Sequence, residues 1–455
     1  MVIVLQCDIL NLEFTSKGRD IDIIEPVLSY LELKYKLKIV RESLFNLEFK
    51  LLKYNPKMLV ISNEIGAYEN FIAVKLASKL GIKIVTLISE GDYVGNKAWI
   101  EGFFWGWNKD HIFYEDLHLE WSQRNIDIIY KFIPGSESFN IKVSGATGFD
   151  RYKILPFMTK EEFLAKYNKA QFKKVVGLGG FNFDHLLGDY FQQFEDVIVE
   201  SLGERDLQLR RAAKEALRTL YRDLIERNPD TLFILKHHPG VWQEELTELY
   251  QLDKYENTVV IRGKEENIAD VINASDIWIA YNSTTVMEAW LLGKQTMFVN
   301  PEGGDFKRSS ISKGSPIKTT FHETQVAIDK FYALAEIPSF KELEGNREQA
   351  MNEIIGWDDG KNHMRAGDYI YDLFIDNKKK HKTIDSFVLK RLFKTFVRNL
   401  IFKTGLIKLS PFAKKYKDSL EFNKRFDPAE REAEHQKYLR YLKEFYARNN
   451  IQFEN

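Results

Sequence analysis

Hydrophobic residues in this chain fall into short continuous runs separated by amphipathic stretches. Leu37–Val40, Met58–Ser62 and Ile82–Ile88 are too short for buried helices and rich in Val and Ile, the pattern of strands covered on both faces. The opening Met1–Asp8 reads as a first strand. A helical pattern runs from Glu69 to Leu80, and Gly81 stands where a left-handed cap would end it. Phe132-Ile133-Pro134 and Ile141–Gly145 carry the alternation to about residue 155. A second series opens with Lys174–Gly180 and continues through a charged helix, Asp206–Arg227. Further strands are expected at Leu232–Leu235, Thr258–Ile261, Ile277–Tyr281 and Thr296–Asn300. Strand–helix–strand alternation predicts parallel sheets with helices on both faces. The expected architecture is two doubly wound α/β units, residues 1–155 and 156–375, joined near 155–172, with a helical tail over 376–455.

The tail has its own character. Phe387, Val388, Leu389, Leu392, Phe393, Phe396, Val397, Leu400 and Ile401 recur at helical spacing, and Lys390, Arg391, Lys394 and Arg398 share those turns. Residues 378–417 hold thirteen Lys and Arg against the single acid Asp385, in a chain whose net charge is −1. Two readings follow: a helix lying on an anionic membrane surface, or a closing helix packed on the fold. Asp427–Arg448 reads as a mixed-charge helix. At 455 residues, 44% of them hydrophobic, the chain is long enough for two cores. Cys7 is its only cysteine, which excludes an intrachain disulfide and fits a reducing compartment. No apolar stretch approaches the ~20 residues of a membrane-spanning helix, and the first residues do not resemble a secretory leader. The expected location is cytoplasmic, peripheral on the inner face of the membrane.

Candidate chemistry gathers at strand ends. The run Phe233–Leu235 leads into Lys236, His237 and His238, which offer cations and N–H donors to an anion, and Pro239 ends the strand and turns the chain towards the crevice. By spacing His238 meets a phosphate while Lys236 or His237 points elsewhere; the alternative is a surface basic cluster. Ile277–Tyr281 leads into Asn282, Ser283, Thr284 and Thr285, more capping residues than one helix start needs. Glu288 lies four residues past Thr284, placed for ribose hydroxyls or for complementing the helix dipole. Gly179, in Gly177-Leu178-Gly179-Gly180, lets backbone approach a phosphate or simply makes a tight turn. Glu90 and then Asp92, in Ser89-Glu90-Gly91-Asp92-Tyr93, are candidate catalytic carboxylates, or turn acids. Glu64 and Trp105 are candidates for binding an acceptor; Glu64 has capping, and Trp105 packing, as its alternative. The nine histidines are scattered and no Asp-x-Asp lies in these segments, so neither a metal nor another cofactor is expected. The absence of Gly-x-Ser-x-Gly argues against a serine hydrolase.

Lys236-x-His238-Pro239 and Asn282-Ser283-Thr284-x-x-x-Glu288-Ala289-x-x-x-Gly293-Lys294 resemble the donor half of bacterial GT-B glycosyltransferases of surface and capsule polysaccharide. The similarity is greatest to transferases using CMP-activated Kdo and nonulosonic acids (pseudaminic, legionaminic or sialic). Val143–Arg151 also resembles their Val-Thr-Gly-Asn-Pro-Arg-Phe-Asp linker, departing from it at Thr147 and Gly148. The resemblance spans about residues 55–305. It implies a GT-B fold, a CMP-sugar as co-substrate, and transfer to a lipid-linked or surface glycan without a metal or nucleic acid. It also implies that His238 with Lys236 or His237 neutralises the departing phosphate, and that Ser283 and Thr284 bind it. Glu288 would take the ribose, and Glu90 the acceptor hydroxyl. Teichoic-acid CDP-glycerol or CDP-ribitol phosphotransferases share a related pattern. A non-catalytic assembly subunit is the rival from another class.

Overall fold

The computed structural model describes residues 5–62, 67–93, 95, 97–263, 265–306, 308–376, 381–406, 414, 416, 419 and 421–453. The chain forms two compact units, Met1–Leu155 with Ile354–Asn455, and Pro156–Glu353.

In the first unit β1 (Ile9–Glu13), β2 (Ile39–Ser43), β3 (Met58–Ser62), β4 (Lys83–Leu87), β5 (Leu117–Glu120) and β6 (Ile141–Val143) form one parallel sheet. Its order is β2-β1-β3-β4-β5-β6, so the winding reverses between β1 and β3. Helices α1 (Arg19–Tyr35), α2 (Leu47–Tyr54), α3 (Tyr68–Lys79), α4 (Lys97–Trp105), α5 (Gln123–Phe132) and α6 (Arg151–Ile154) connect the strands. All five residues of β1 and of β3 are buried; β3 accordingly reads as nearly unbroken hydrophobicity, while β1 carries Asn11 and Glu13 among its apolar residues. Gly81, at φ 73°, ends the α3 region as its position suggested.

The second unit holds β7 (Lys174–Gly179), β8 (Thr231–Lys236), β9 (Thr258–Ile261), β10 (Ile277–Ala280), β11 (Gln295–Val299) and β12 (Ile317–Lys318). They too are parallel, in the order β12-β11-β10-β7-β8-β9. Its helices are α7 (Lys160–Lys166), α8 (Asp184–Leu187), α9 (Asp189–Leu202), α10 (Glu204–Arg227), α11 (Ile268–Ala274), α12 (Thr285–Leu291), α13 (Phe321–Leu334) and most of α14 (Glu344–Ile355). Thr159 and Thr320 start α7 and α13 with complete capping boxes to Glu162 and Glu323.

Three expectations are corrected. Among the described residues the first strand begins at Ile9, where the chain first pairs in register with β2 and β3, and residues 1–4 of the expected strand lie outside the described residues. Residues 132–134 are not a strand: Phe132 closes α5, and the β5 slot belongs to Leu117-His118-Leu119-Glu120, whose alternating polar residues hid it. Residues 354–375, expected in the second unit, cluster with the first.

Buried polar contacts explain that return. The chain comes back as α15 (Asn362–Ile375), followed by α16 (Ser386–Lys403) and α17 (Pro428–Arg448). The Asp150 carboxylate accepts the His363 backbone N–H at 2.6 Å and lies 2.8 Å from His363 Nδ1. Nδ1 therefore carries a proton towards the carboxylate, and Nε2 lies 2.8 Å from the Tyr446 hydroxyl. Arg151 pairs with Asp22 of α1 at 2.6 Å, and Tyr438 donates to the same carboxylate at 2.7 Å. Glu25, fully buried on α1, is shared by Arg41 at 2.9 Å, His435 at 2.7 Å and Arg431. Burial alone would raise the Glu25 pKa, but Arg41, Arg431 and His435 outweigh it and hold the carboxyl well below its ordinary range. On the opposite side α16 lies against α2, with Arg391 bonded to Glu48 at 2.9 Å and Arg398 to Asn46 at 2.8 Å. On that face α16 packs on the first unit.

Removing one member of a buried charge cluster strands the others. Glu25→Ala, which leaves Arg431 buried without its carboxylate and Arg41 with Glu32 alone, is expected to lower unfolding free energy by about 3–5 kcal/mol. Urea denaturation followed by tryptophan fluorescence measures it; a loss under about 1 kcal/mol would contradict the clasp.

Candidate functional site

In the second sheet the winding reverses between β7 and β10: the chain leaves β7 towards β8 and β9, then crosses back to β10. Loops after the two strands at such a point diverge and open a crevice at their carboxyl ends, the usual place for a ligand. The register makes the placement specific. Gly179 at the end of β7 is the partner of both Lys236 on β8 and Ala280 on β10. With parallel strands ~4.8 Å apart, the segments starting at His237 and Tyr281 emerge at one level about 10 Å from each other. The two clusters singled out in the sequence therefore converge on the same edge.

Within the first cluster burial sorts the cations. Lys236 is 5% exposed, and its ammonium donates to the carbonyls of His237 at 2.8 Å and Gly263 at 2.7 Å. Burial pulls its pKa down to about 8. His237 is buried too, with Nε2 3.7 Å from Glu244, and burial lowers its pKa below the ordinary value. Lys236 spends its donors on these carbonyls, so the phosphate role expected of it is corrected to a structural one, whereas His237 Nε2 is buried without a hydrogen-bond partner among the described residues. His238 is half-buried, and its Nδ1 accepts the Gly240 N–H at 3.1 Å, leaving the proton of the neutral ring on Nε2. Pro239 is exposed.

The second cluster is a chain of donors. Trp278 Nε1 donates to the Thr285 hydroxyl at 2.9 Å, which lies 2.9 Å from Ser283 Oγ. Ser283 Oγ also accepts the Thr285 backbone N–H at 3.3 Å. Where Thr285 donates onward, Ser283 keeps its own proton for a ligand. Thr284 is exposed at the helix start and makes no side-chain cap bond; Asn282 and Glu288 are half-buried. Helix α12 has only seven residues, so these hydroxyls, more than a long dipole, supply the donors. Gly179 also meets a packing demand. A Cβ there would stand 3.0 Å from the Trp278 ring and 3.3 Å from Thr285 Oγ1, so the glycine makes room for protein atoms.

In the first unit Glu90 is exposed and pairs with Arg19 at 2.8 Å, and Asp92 lies 3.7 Å from Arg124. Their turn is held rigidly: Trp121 Nε1 donates to the Ile88 carbonyl at 2.9 Å, Arg124 to the Tyr93 carbonyl at 2.7 Å, and Tyr93 to Glu120 at 2.8 Å. Trp105 is 8% exposed, packed against Phe104, His111 and Phe139, so its expected contact with an acceptor gives way to a core role. Glu64 lies outside the described residues.

Three groups escaped the sequence reading. Arg308 donates to the Tyr281 carbonyl, immediately before Asn282, and stacks 4.2 Å from the Phe306 ring centroid. Its Nη2 is buried without a hydrogen-bond partner, and burial pulls its pKa down to about 10, leaving a charged guanidinium at neutral pH. It borders an open cavity of about 440 Å³ lined also by Asn300, Gly303, Gly304, Asp305 and Ser309, at the carboxyl end of β11. Arg308 stands 27 positions from Tyr281 in an aperiodic loop, so no local signal announced it. Glu248, fully buried, accepts the Phe181 N–H at 2.7 Å just past Gly179-Gly180, and burial pushes its pKa up to about 7. Glu13 ends β1 at the first unit's winding reversal and accepts from Asn11 and Ser62, both at 2.8 Å. Burial, with Asp20 adding to it, pushes the Glu13 pKa up to about 8.

No family model matches the chain, and no curated protein matches it. Solved structures do. The fold is that of the two-domain GT-B class, α/β units on parallel six-stranded sheets with a helical C-terminal region. Among these structures are the S. aureus MnaA–UDP complex (TM-score 0.53, 13% identity, 84% of this chain and 100% of that one) and a UDP-N-acetylglucosamine 2-epimerase (0.51, 11%, 84% and 100%). A third is the Neisseria meningitidis UDP-GlcNAc 2-epimerase bound to UDP-GlcNAc (0.50, 12%, 82% and 100%). At such identities the likeness is one of fold.

Glu248 gives a prediction. A carboxyl whose folded pKa lies above its unfolded value contributes stability fully present below the unfolded value and lost as pH rises through the folded one. Raising pH from about 4.5 to 7 should therefore withdraw on the order of 2 kcal/mol at this position. Glu248→Gln keeps an acceptor for the Phe181 N–H and should flatten that slope in denaturation curves at pH 5, 6 and 7. An unchanged slope would contradict the assignment.

Proposed function

We propose that the protein is a glycosyltransferase that moves an ulosonic-type sugar from a CMP-activated donor to a glycan acceptor. The observation carrying this reading is the shared register of Gly179 with Lys236 and Ala280, which sets His238 beside the Ser283 turn at a winding reversal. In this proposal His238 Nε2 and the Ser283 and Thr284 hydroxyls bind the donor phosphate, and Arg308 adds the charge that Lys236 and His237 do not provide. The departing nucleotide is stabilised by these protein groups without a metal. Glu288 accepts from ribose hydroxyls, and the cavity beside Arg308 takes the base. Glu90 accepts the proton of the acceptor hydroxyl once Arg19 releases it, with Asp92 as the alternative base. The Lys-x-His-Pro and Asn-Ser-Thr motifs support the CMP donor.

A second reading has its own support: the similar structures named above are described as 2-epimerases or hold UDP or UDP-GlcNAc. On that reading the same groups bind a UDP-sugar and the chain interconverts it without any acceptor.

Thermal-shift titration against CMP, CDP, UDP and GDP separates the readings. Stabilisation by CMP alone is expected; stabilisation by UDP alone, with turnover of UDP-GlcNAc in the absence of acceptor, would replace the transferase by the epimerase. His238→Ala and Ser283→Ala should each weaken binding of the stabilising nucleotide about 10- to 100-fold, the usual worth of a hydrogen bond to a charged group. Undiminished binding in both variants would remove the phosphate site from this edge.

A further inference from the structure

Helix α16 is divided into two faces by what it touches. Its inner face carries Val388, Thr395 and Ile401, all buried, and the two arginines engaged by Glu48 and Asn46. Its outer face carries Leu389, Phe393, Phe396 and Leu400, which are 58%, 68%, 57% and 49% exposed. Their spacing of four, three and four residues aligns them in one stripe along the helix. Single exposed apolar residues are ordinary on a protein surface, whereas a continuous row of four large ones marks a contact surface. Lys390 and Lys394 are exposed along one side of the stripe and Lys403 at its far end, and none of the three has an ion pair or hydrogen bond among the described residues. No acid occurs between Ser386 and Lys403.

We propose that this outer face docks on an anionic phospholipid bilayer. The two phenylalanines and two leucines enter the boundary between headgroups and acyl chains. Each lysine lays its aliphatic stem beside them and carries its ammonium to a lipid phosphate. Charge complementarity selects this occupant over a second copy of the chain: a two-fold dimer through this face would set the same lysines against each other. Because the inner face is already seated on α2, the helix is formed before it meets lipid and pays little ordering entropy on docking. No described helix is long and apolar enough to cross a membrane.

Co-sedimentation of the full chain with vesicles of phosphatidylglycerol and phosphatidylcholine, against phosphatidylcholine alone, tests the proposal. Binding to the anionic vesicles is expected, falling with added salt. Phe393→Ser/Phe396→Ser should weaken it by more than about tenfold. Lys390→Gln/Lys394→Gln should weaken it by roughly fivefold per lysine. Since all four side chains are exposed, both variants should keep the native unfolding midpoint, which separates loss of docking from loss of fold. No binding of the native chain to anionic vesicles, or full binding by the phenylalanine variant, would overturn the proposal. So would sedimentation equilibrium showing a dimer that the phenylalanine variant dissociates, because the stripe would then be a subunit interface.

Discussion

The candidate donor site depends on the position of β7 as shared neighbour of β8 and β10. Parallel pairing brings the carboxyl ends of adjacent strands to one edge, and a reversal of winding beside β7 opens the connections away from each other. Nothing in either loop has to be unusual for His238 and Ser283 to follow strands that end on the same sheet edge, although 45 positions separate them. Gly177 and Gly179 serve the same constraint. Ring atoms of Trp278 would come within 2.2 Å of a Cβ at residue 177, so the glycines let β10 present that indole and, through it, the Thr285–Ser283 donor chain. Packing beneath the sheet edge and hydrogen bonding above it are one arrangement.

Strand ends were legible in the sequence wherever burial made the pattern unambiguous. Met58–Ser62 and Thr258–Ile261 match their expected limits because both faces of a parallel strand must be apolar. β5 was hidden because its His118 and Glu120 satisfy each other and Tyr93 inside the fold, so a buried strand carries a polar alternation. The return of residues 354–375 to the first unit was not legible at all. It rests on Asp150–His363 and His363–Tyr446, pairs 213 and 83 positions apart, and such contacts leave no local trace.

The same limit applies to site chemistry. Residue type identified Lys236, His237 and His238 as cations, but solvent access decides what a cation does. Two of the three are buried, Lys236 bonded to carbonyls and His237 lying 3.7 Å from Glu244, and Arg308 brings a cation to the Tyr281 carbonyl from a loop after β11. Composition therefore predicts the sign and location of a charged edge better than it predicts the atoms that face a ligand. Asp150 makes the complementary point. It lies in the segment that resembles a transferase linker, and here its carboxylate is consumed in holding α15, a demand of folding that motif similarity alone does not reveal.

The tail shows how one amphipathic sequence satisfies two demands. An isolated helix with apolar residues all along it would be expected to turn every one of them towards the protein. In α16 the cations are divided as well: Arg391 and Arg398 face α2, while Lys390, Lys394 and Lys403 face outward. That division follows from side-chain chemistry. Guanidinium groups tolerate partial burial when they can bond an oxygen and cover a ring, as Arg398 does 4.6 Å from the Phe45 centroid. Ammonium groups keep their hydration more tenaciously and stay in solvent. Sorting arginine inward and lysine outward leaves the exposed phenylalanines bordered by mobile, hydrated charges.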